Sequence, residues 1–155
     1  MKILVVDDNS RQRAAAQAQL GEEHDLILLD NYEDAIKLLK SDTDLDVLLS
    51  DLLMPAEPHA LGPDGFKFLG QEVPIGFVLA LRAAMVGVKK IAVITDTNHH
   101  NHPMSAALDW INPAYWHGDR TELLAINNSQ VLIAHAPFAA DGSKDWGATL
   151  NLLLH

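Results

Sequence analysis

Five short, unbroken apolar runs recur along the chain, and each ends in a polar or acidic residue. Ile3-Leu4-Val5-Val6 runs into Asp7-Asp8, Leu26-Ile27-Leu28-Leu29 into Asp30-Asn31, and Val47-Leu48-Leu49 into Ser50-Asp51. Ile91-Ala92-Val93-Ile94 runs into Thr95-Asp96, and Val131-Leu132-Ile133-Ala134 into His135-Ala136-Pro137. A strand with one wet face alternates apolar and polar residues, whereas a strand covered on both faces does not. Runs of this length without alternation therefore predict strands buried on both sides, as in a parallel sheet.

Helix-forming stretches separate the runs. Ala14, Ala15, Ala18 and Leu20 favour a helix over 10–20, and Tyr32, Ala35, Ile36 and Leu39 fall at helical spacing over 32–40. Residues 66–87 read as helix restarted at Pro74, residues 103–111 as a helix opened by Pro103, and residues 144–153 as a closing helix with Trp146, Leu150 and Leu153. Strands alternating with helices predict an α/β fold with an open, doubly wound sheet of right-handed crossovers. At 155 residues the chain is the size of one domain, expected to span 1–155. The segments 56–64, 98–102 and 112–130 read as enlarged loops, the last with a short helix at 120–126. Gly62-Pro63-Asp64-Gly65 is turn chemistry.

Composition removes several functions. Cysteine is absent, which excludes disulfides, zinc–thiolate sites and thiol catalysis. Eleven Lys and Arg against 21 Asp and Glu give a formal charge of −10, which opposes binding to nucleic acid or an anionic membrane. The first apolar run is cut by Asp7 and Asp8 too soon for a signal peptide, and Val73–Leu81 falls short of the ~20 residues a spanning helix needs. A cytoplasmic location is the expectation. The sequence holds no phosphate-binding glycine loop and no Gly-x-Ser-x-Gly elbow.

In an open parallel sheet, ligands collect beyond the carboxyl ends of the strands. Asp7 and Asp8, Asp51 and Thr95 follow three different runs, so neighbouring strands would bring three carboxylates and a hydroxyl together. An aspartate after a strand often does no more than cap a helix or make a turn. Clustered carboxylates, however, repel one another unless protonated or bridged by a cation. An all-oxygen donor set with room for water suits Mg²⁺, and a carboxylate beside it can attack phosphorus.

These residues resemble the receiver domain of two-component response regulators. Ile3 to Asn9 is similar to that family's first strand and acidic pair, and Asp51-Leu52-Leu53-Met54-Pro55 to the segment around its phosphoacceptor aspartate. Asp64-Gly65 resembles a displaced form of the turn that follows. Ile91 to Thr95 resembles the fourth strand with its switch threonine. The resemblance implies a flavodoxin-like, five-stranded parallel sheet of order 2-1-3-4-5 with helices on both faces. It implies Asp51 as phosphoacceptor and Thr95 as the hydroxyl that binds the phosphoryl group. Mg²⁺ would be held by Asp8, by Asp7 mainly through water, by Asp51 and by the Leu53 carbonyl. The implied partners are a sensor histidine kinase or phosphotransfer protein and a downstream protein target. With nothing after the fifth helix, a stand-alone receiver acting by protein contacts is expected.

Three positions depart from the family pattern. Ala136 stands where a lysine precedes the proline, Ile133 stands at the aromatic switch position, and Asp96 follows Thr95 in place of a small residue. A missing ammonium removes a charge-assisted bond of roughly 1.5–3 kcal/mol, and an added carboxylate opposes phosphate. Lys144 and His135 are candidate replacements, but no spacing rule brings either into the pocket. Two alternatives follow. One is a pseudo-receiver that binds partners without phosphorylation. The other is a Mg²⁺-dependent phosphatase of another doubly wound family, disfavoured because haloacid-dehalogenase-like enzymes want their second acid two residues after the first, where this chain has Asn9.

His99, His100 and His102 could bind a transition metal or, when protonated, touch phosphate, against the simpler reading of a solvated polar loop. Trp110, Tyr115, Trp116 and Trp146 are either partner anchors or a cover for the core. Ile75, Val78, Leu79, Met85 and Val86 are expected to form a core-facing stripe, with a homodimer face as the alternative.

Overall fold

The computed structural model describes residues 1–41, 44–113 and 121–155, with only the backbone of 59–61. All five apolar runs are strands. β1 (Lys2–Val6), β2 (Asp25–Leu29), β3 (Val47–Asp51), β6 (Lys90–Thr95) and β8 (Ser129–His135) pair in parallel in the order β2-β1-β3-β6-β8. That is the expected 2-1-3-4-5 order. A sixth strand, β7 (Leu123–Ile126), pairs antiparallel with β8 at the edge.

The absence of alternation is explained by the two cores. Leu4 and Val6 of β1, Leu48 of β3, Ile91 and Val93 of β6, and Val131 and Ile133 of β8 pack on one face. Ile3 and Val5, Val47 and Leu49, Ala92 and Ile94, and Leu132 and Ala134 pack on the other. Helices α2 (Tyr32–Ser41) and α4 (Ile75–Val86) cover the first face. Helices α1 (Ser10–Leu20) and α6 (Trp146–Leu154) cover the second. Asn9 caps α1 by accepting from the Arg11 amide at 3.0 Å, and Asp145 caps α6 by accepting from Ala148 at 2.8 Å.

Three expectations change. The helix expected at 120–126 is strand β7, because Asn127-Asn128 closes a two-residue hairpin with Asn127 in the left-handed region (φ 53°). The helix expected from 66 begins only at Ile75. Phe66–Phe68 is a single 3₁₀ turn, and Glu72–Val73 (β5) pairs with Met54–Pro55 (β4). The short helix α3 (Pro58–Gly65), broken at Gly62, fills the intervening segment. The expected core stripe on α4 is also redrawn. Leu79, Ala80, Ala83 and Ala84 are buried, Ile75 is partly buried, and Val78, Met85 and Val86 are exposed. The helix is apolar all round, so periodicity could not choose a face. The small alanines face inward because they allow the closest approach to the sheet.

α5 (Pro103–Ala107) runs into a 3₁₀ turn at Leu108–Trp110. Trp146 is fully buried, whereas Trp110 is 94% exposed. Tyr115 and Trp116 lie outside the described residues. No described helix is long and apolar enough to cross a membrane.

Candidate functional site: an acidic pocket closed by a buried lysine

The carboxyl ends of β1, β3 and β6 lie side by side, because Val6 is in register with Ser50 and Asp51 with Ile94. Asp7, Asp8 and Asp51 each offer a carboxylate oxygen, all within 4.8 Å of one another. Asp7 and Asp51 are buried and Asp8 is exposed. Three oxygen donors with one face open to solvent fit a hard divalent cation that keeps part of its water shell. Leu53 is buried just after Asp51.

Local structure fixes each group. Asp7 Oδ1 accepts the Asn9 amide at 2.9 Å, and its backbone nitrogen donates to Leu29 at 3.1 Å. The Arg13 guanidinium donates to the carbonyls of Asp7 and Asp8 at 2.7 and 2.9 Å, which pins the acidic pair to α1. Asp51 Oδ1 accepts the Leu52 amide at 2.8 Å. Thr95 is buried at the end of β6, and its Oγ1 accepts the Thr97 amide at 3.1 Å, leaving the hydroxyl hydrogen to donate elsewhere. Gly76 lets α4 approach from below: its amide donates to the Leu52 carbonyl at 3.1 Å, and a Cβ there would lie 2.0 Å from the Asp51 carbonyl oxygen.

The ammonium that reaches this pocket is that of Lys144. Its ammonium lies 2.6 Å from Asp7 Oδ2, 2.9 Å from Asp51 Oδ1 and 3.7 Å from Asp96 Oδ1, with only 1% of the side chain exposed. A tight loop between β8 and α6 delivers it. Phe138 bridges antiparallel to Lys144, Ala139 and Ser143 are joined by a 2.9 Å bond, and Gly142 turns the chain in the left-handed region (φ 78°). Asp141 Oδ1 ties the turn to the Ser143 amide and hydroxyl at 2.9 and 2.6 Å. Buried Gln12 completes the frame. It accepts the Lys144 amide at 2.8 Å, donates to Asp96 at 2.9 Å, and through its carbonyl accepts the Trp146 indole at 3.0 Å. The Trp146 ring lies 5.6 Å beneath the ammonium.

Lys144 and Gln12 are the site residues that sequence reasoning did not place. The available signal was Asp141-Gly142-Ser143 between Pro137 and the helix cap Asp145, a turn that folds the chain back toward the sheet. His135, the other candidate cation, instead reaches Asp109 at 3.2 Å.

Burial raises the Asp51 carboxyl to about 7; Lys144 opposes the rise, and Asp7 and Asp96 add to it. Burial likewise raises Asp7, against the pull of Lys144. For Lys144, burial acts to lower the pKa, but Asp51, Asp7 and Asp96 outweigh it and hold the ammonium above its ordinary value. The pocket thus retains a permanent cation and a carboxyl poised near neutrality.

No family model matches the sequence, and no curated protein matches it. Among solved structures, the chain is similar to one in the crystal structure of the P1 domain of CheA3 in complex with CheY6 from R. sphaeroides. The identity is 16%, over 99% of this chain and 95% of that one, with a TM-score of 0.52. It is also similar to the isolated REC domain of RcsB from Salmonella enterica serovar Typhimurium, solved in the presence of phosphomimetic BeF3⁻, at 21% identity over 72% of this chain and 74% of that one (TM-score 0.43). A response regulator protein from Burkholderia multivorans matches at 19% identity over 97% and 94% of the two chains (TM-score 0.47). The strand order and the first of these likenesses give one result: the chain has the fold of CheY-like receiver domains.

Proposed function

We propose that this chain, as one receiver unit over 1–155, takes a phosphoryl group on Asp51 and signals through protein contacts. The observation that carries the reading is the Lys144 ammonium joined to both Asp7 and Asp51, which restores the cation missing at Ala136. The residues that would hold Mg²⁺ are Asp7, Asp8 and Asp51 with the Leu53 carbonyl. Bound there, the ion would neutralise charge on the phosphoryl oxygens.

A carboxylate oxygen of Asp51 attacks phosphorus as the bond from phosphorus to the donor's imidazole nitrogen breaks. The nitrogen keeps the electron pair, and Asp51 carries the acyl phosphate. Lys144 moves its hydrogen bond from the carboxylate to a phosphoryl oxygen, and the Thr95 hydroxyl donates to another. The donor is a sensor histidine kinase or phosphotransfer protein; the first structural likeness is to a chain in a complex of the CheA3 P1 domain with CheY6. The output is a protein target. The location is cytoplasmic, and no catalysis beyond the chain's own phosphorylation and dephosphorylation is assigned to it.

A second reading, a pseudo-receiver without phosphorylation, is favoured by Asp96, which turns a third carboxylate toward Lys144 where a phosphoryl oxygen would need the ammonium. Incubation with Mg²⁺ and acetyl phosphate, followed by intact mass, separates the two. One phosphoryl adduct in the wild type and none in Asp51→Asn supports the phosphoacceptor. No adduct at millimolar Mg²⁺, with no beryllofluoride shift in NMR, supports the pseudo-receiver. Turnover of a free phosphate ester would instead indicate a phosphatase.

A further inference from the structure

Three residues past Thr95 lies a second constellation that the acidic pocket does not use. Asn98 accepts the His100 amide through its side chain at 2.9 Å and the Asn101 amide through its carbonyl at 2.9 Å, so the chain turns tightly over 98–101. The turn brings His99 Nε2 and His100 Nε2 within 2.8 Å, with the rings edge to face at 71°. Behind them, His99 Nδ1 meets Asp109 Oδ2 at 2.7 Å, and the other Asp109 oxygen meets His135 Nε2 at 3.2 Å. His102 stands apart, its Nδ1 accepting the Met104 amide at 3.1 Å to cap α5.

The chemistry of this arrangement is directional. An ionised carboxylate only accepts, so Asp109 places a hydrogen on His99 Nδ1, and the His99 Nε2 lone pair accepts the Nε2 hydrogen of His100, a proton that an ion bound to both nitrogens would displace. A carboxylate behind a ligating imidazole is the usual second layer of a metal site, where it fixes the ring and raises its basicity. Two nitrogens 2.8 Å apart subtend about a right angle at an ion ~2.0 Å from each. That angle is the cis relation of a tetragonal N/O site, the geometry preferred by Cu²⁺ and Ni²⁺. His100 is exposed and His99 half-buried, so one side is held by protein and the other is open to water and the ion.

We propose that His99 and His100 bind a divalent transition-metal ion through their Nε2 atoms, with Asp109 as the positioning residue behind His99. The site is separate from the carboxylate pocket in both ligands and preference: imidazole nitrogen for a first-row transition metal, carboxylate oxygen for Mg²⁺. It does not depend on the phosphoacceptor reading.

The test titrates Ni²⁺ into the chelator-treated full chain by calorimetry, with excess Mg²⁺ present to hold the acidic pocket. Imidazole ¹⁵N shifts are followed by NMR in parallel. The expected result is one ion per chain, with shifts at the Nε2 atoms of His99 and His100. Binding should fall at least tenfold in either H99A or H100A and about 10–100-fold in D109N, the loss typical of a second-layer partner. D8N should bind Ni²⁺ as the wild type does, while circular dichroism checks that each variant folds. Absence of binding, binding that survives both histidine variants, or binding that Mg²⁺ or D8N removes would each overturn the proposal. A D109N variant with undiminished affinity would overturn the positioning role.

Discussion

Lys144 holds a charge inside the protein because two carboxylates meet it at hydrogen-bond distance and a third lies just beyond. A buried ion pair often contributes little net stability, yet removing one partner strands the other charge, at about 3–5 kcal/mol. Lys144→Met should therefore destabilise the fold by roughly that amount near pH 8. The loss should shrink in acid as Asp7 and Asp51 take up protons, as urea titrations at the two pH values would read. The same variant should lose the acetyl phosphate adduct. Asp51 gives a pH signature of opposite origin. Its folded carboxyl is raised from 3.8 to about 7, so the folded state binds the proton more tightly than the unfolded chain does. The stability this gives is complete below the unfolded value and disappears as pH rises through about 7. Without divalent ions, Asp51→Asn should thus raise Tm at pH 8 and leave it nearly unchanged at pH 4. Equal effects at both values would remove burial of the charge as the cause.

Individual elements act as positioning devices. The β8–α6 loop brings Lys144 back over the sheet, and α1 supplies Gln12 and Arg13 to hold the lysine and the acidic pair. α4 fixes the floor beneath Asp51 and Leu52 through Gly76, where there is no space for a side chain. Gly76→Ala should cost ~1–3 kcal/mol, the usual range for overpacking, and shift the NMR signals of Asp51 and Leu52 by forcing the helix away. Alanine is the better helix former, so a stabilised variant would contradict the close approach. Elements were also where sequence patterns failed most clearly. α4 gave no facial preference because it is apolar on all sides. β7 looked helical because four apolar residues fit either period, and only the Asn127-Asn128 turn and the free edge of β8 settle it.

At the scale of the molecule, the two cores converge under one rim, so events at the rim couple to overall stability. Asp7, Asp8, Asp51 and Asp96 outnumber the single ammonium of Lys144, so the pocket favours a further cation. An ion that binds the folded state alone stabilises it by mass action, about 2.7 kcal/mol at a hundredfold excess over Kd. Mg²⁺ should accordingly raise Tm by about 5–10 °C in the wild type. Asp8→Asn should reduce that rise sharply, although Asp8 is exposed and contributes little to folding by itself. A Tm indifferent to millimolar Mg²⁺ would count against the carboxylate cluster as a cation site.

The sequence by itself determined the sheet. Apolar runs of strand length, unbroken by polar residues and separated by helix-forming stretches, predict strands covered on both faces, and the polar residues ending them mark the rim where the carboxylates gather. Asp7, Asp8, Asp51 and Thr95 were legible for that reason, since strand ends are local features and parallel pairing aligns them automatically. Tertiary structure alone decided the charge balance of the pocket. Lys144 lies eight positions beyond Ala136, and its arrival depends on a loop bridge, a left-handed glycine and a glutamine from the opposite end of the chain. Such contacts between distant segments leave no periodic trace, because a single long side chain can reach the same point in space from many positions in the sequence.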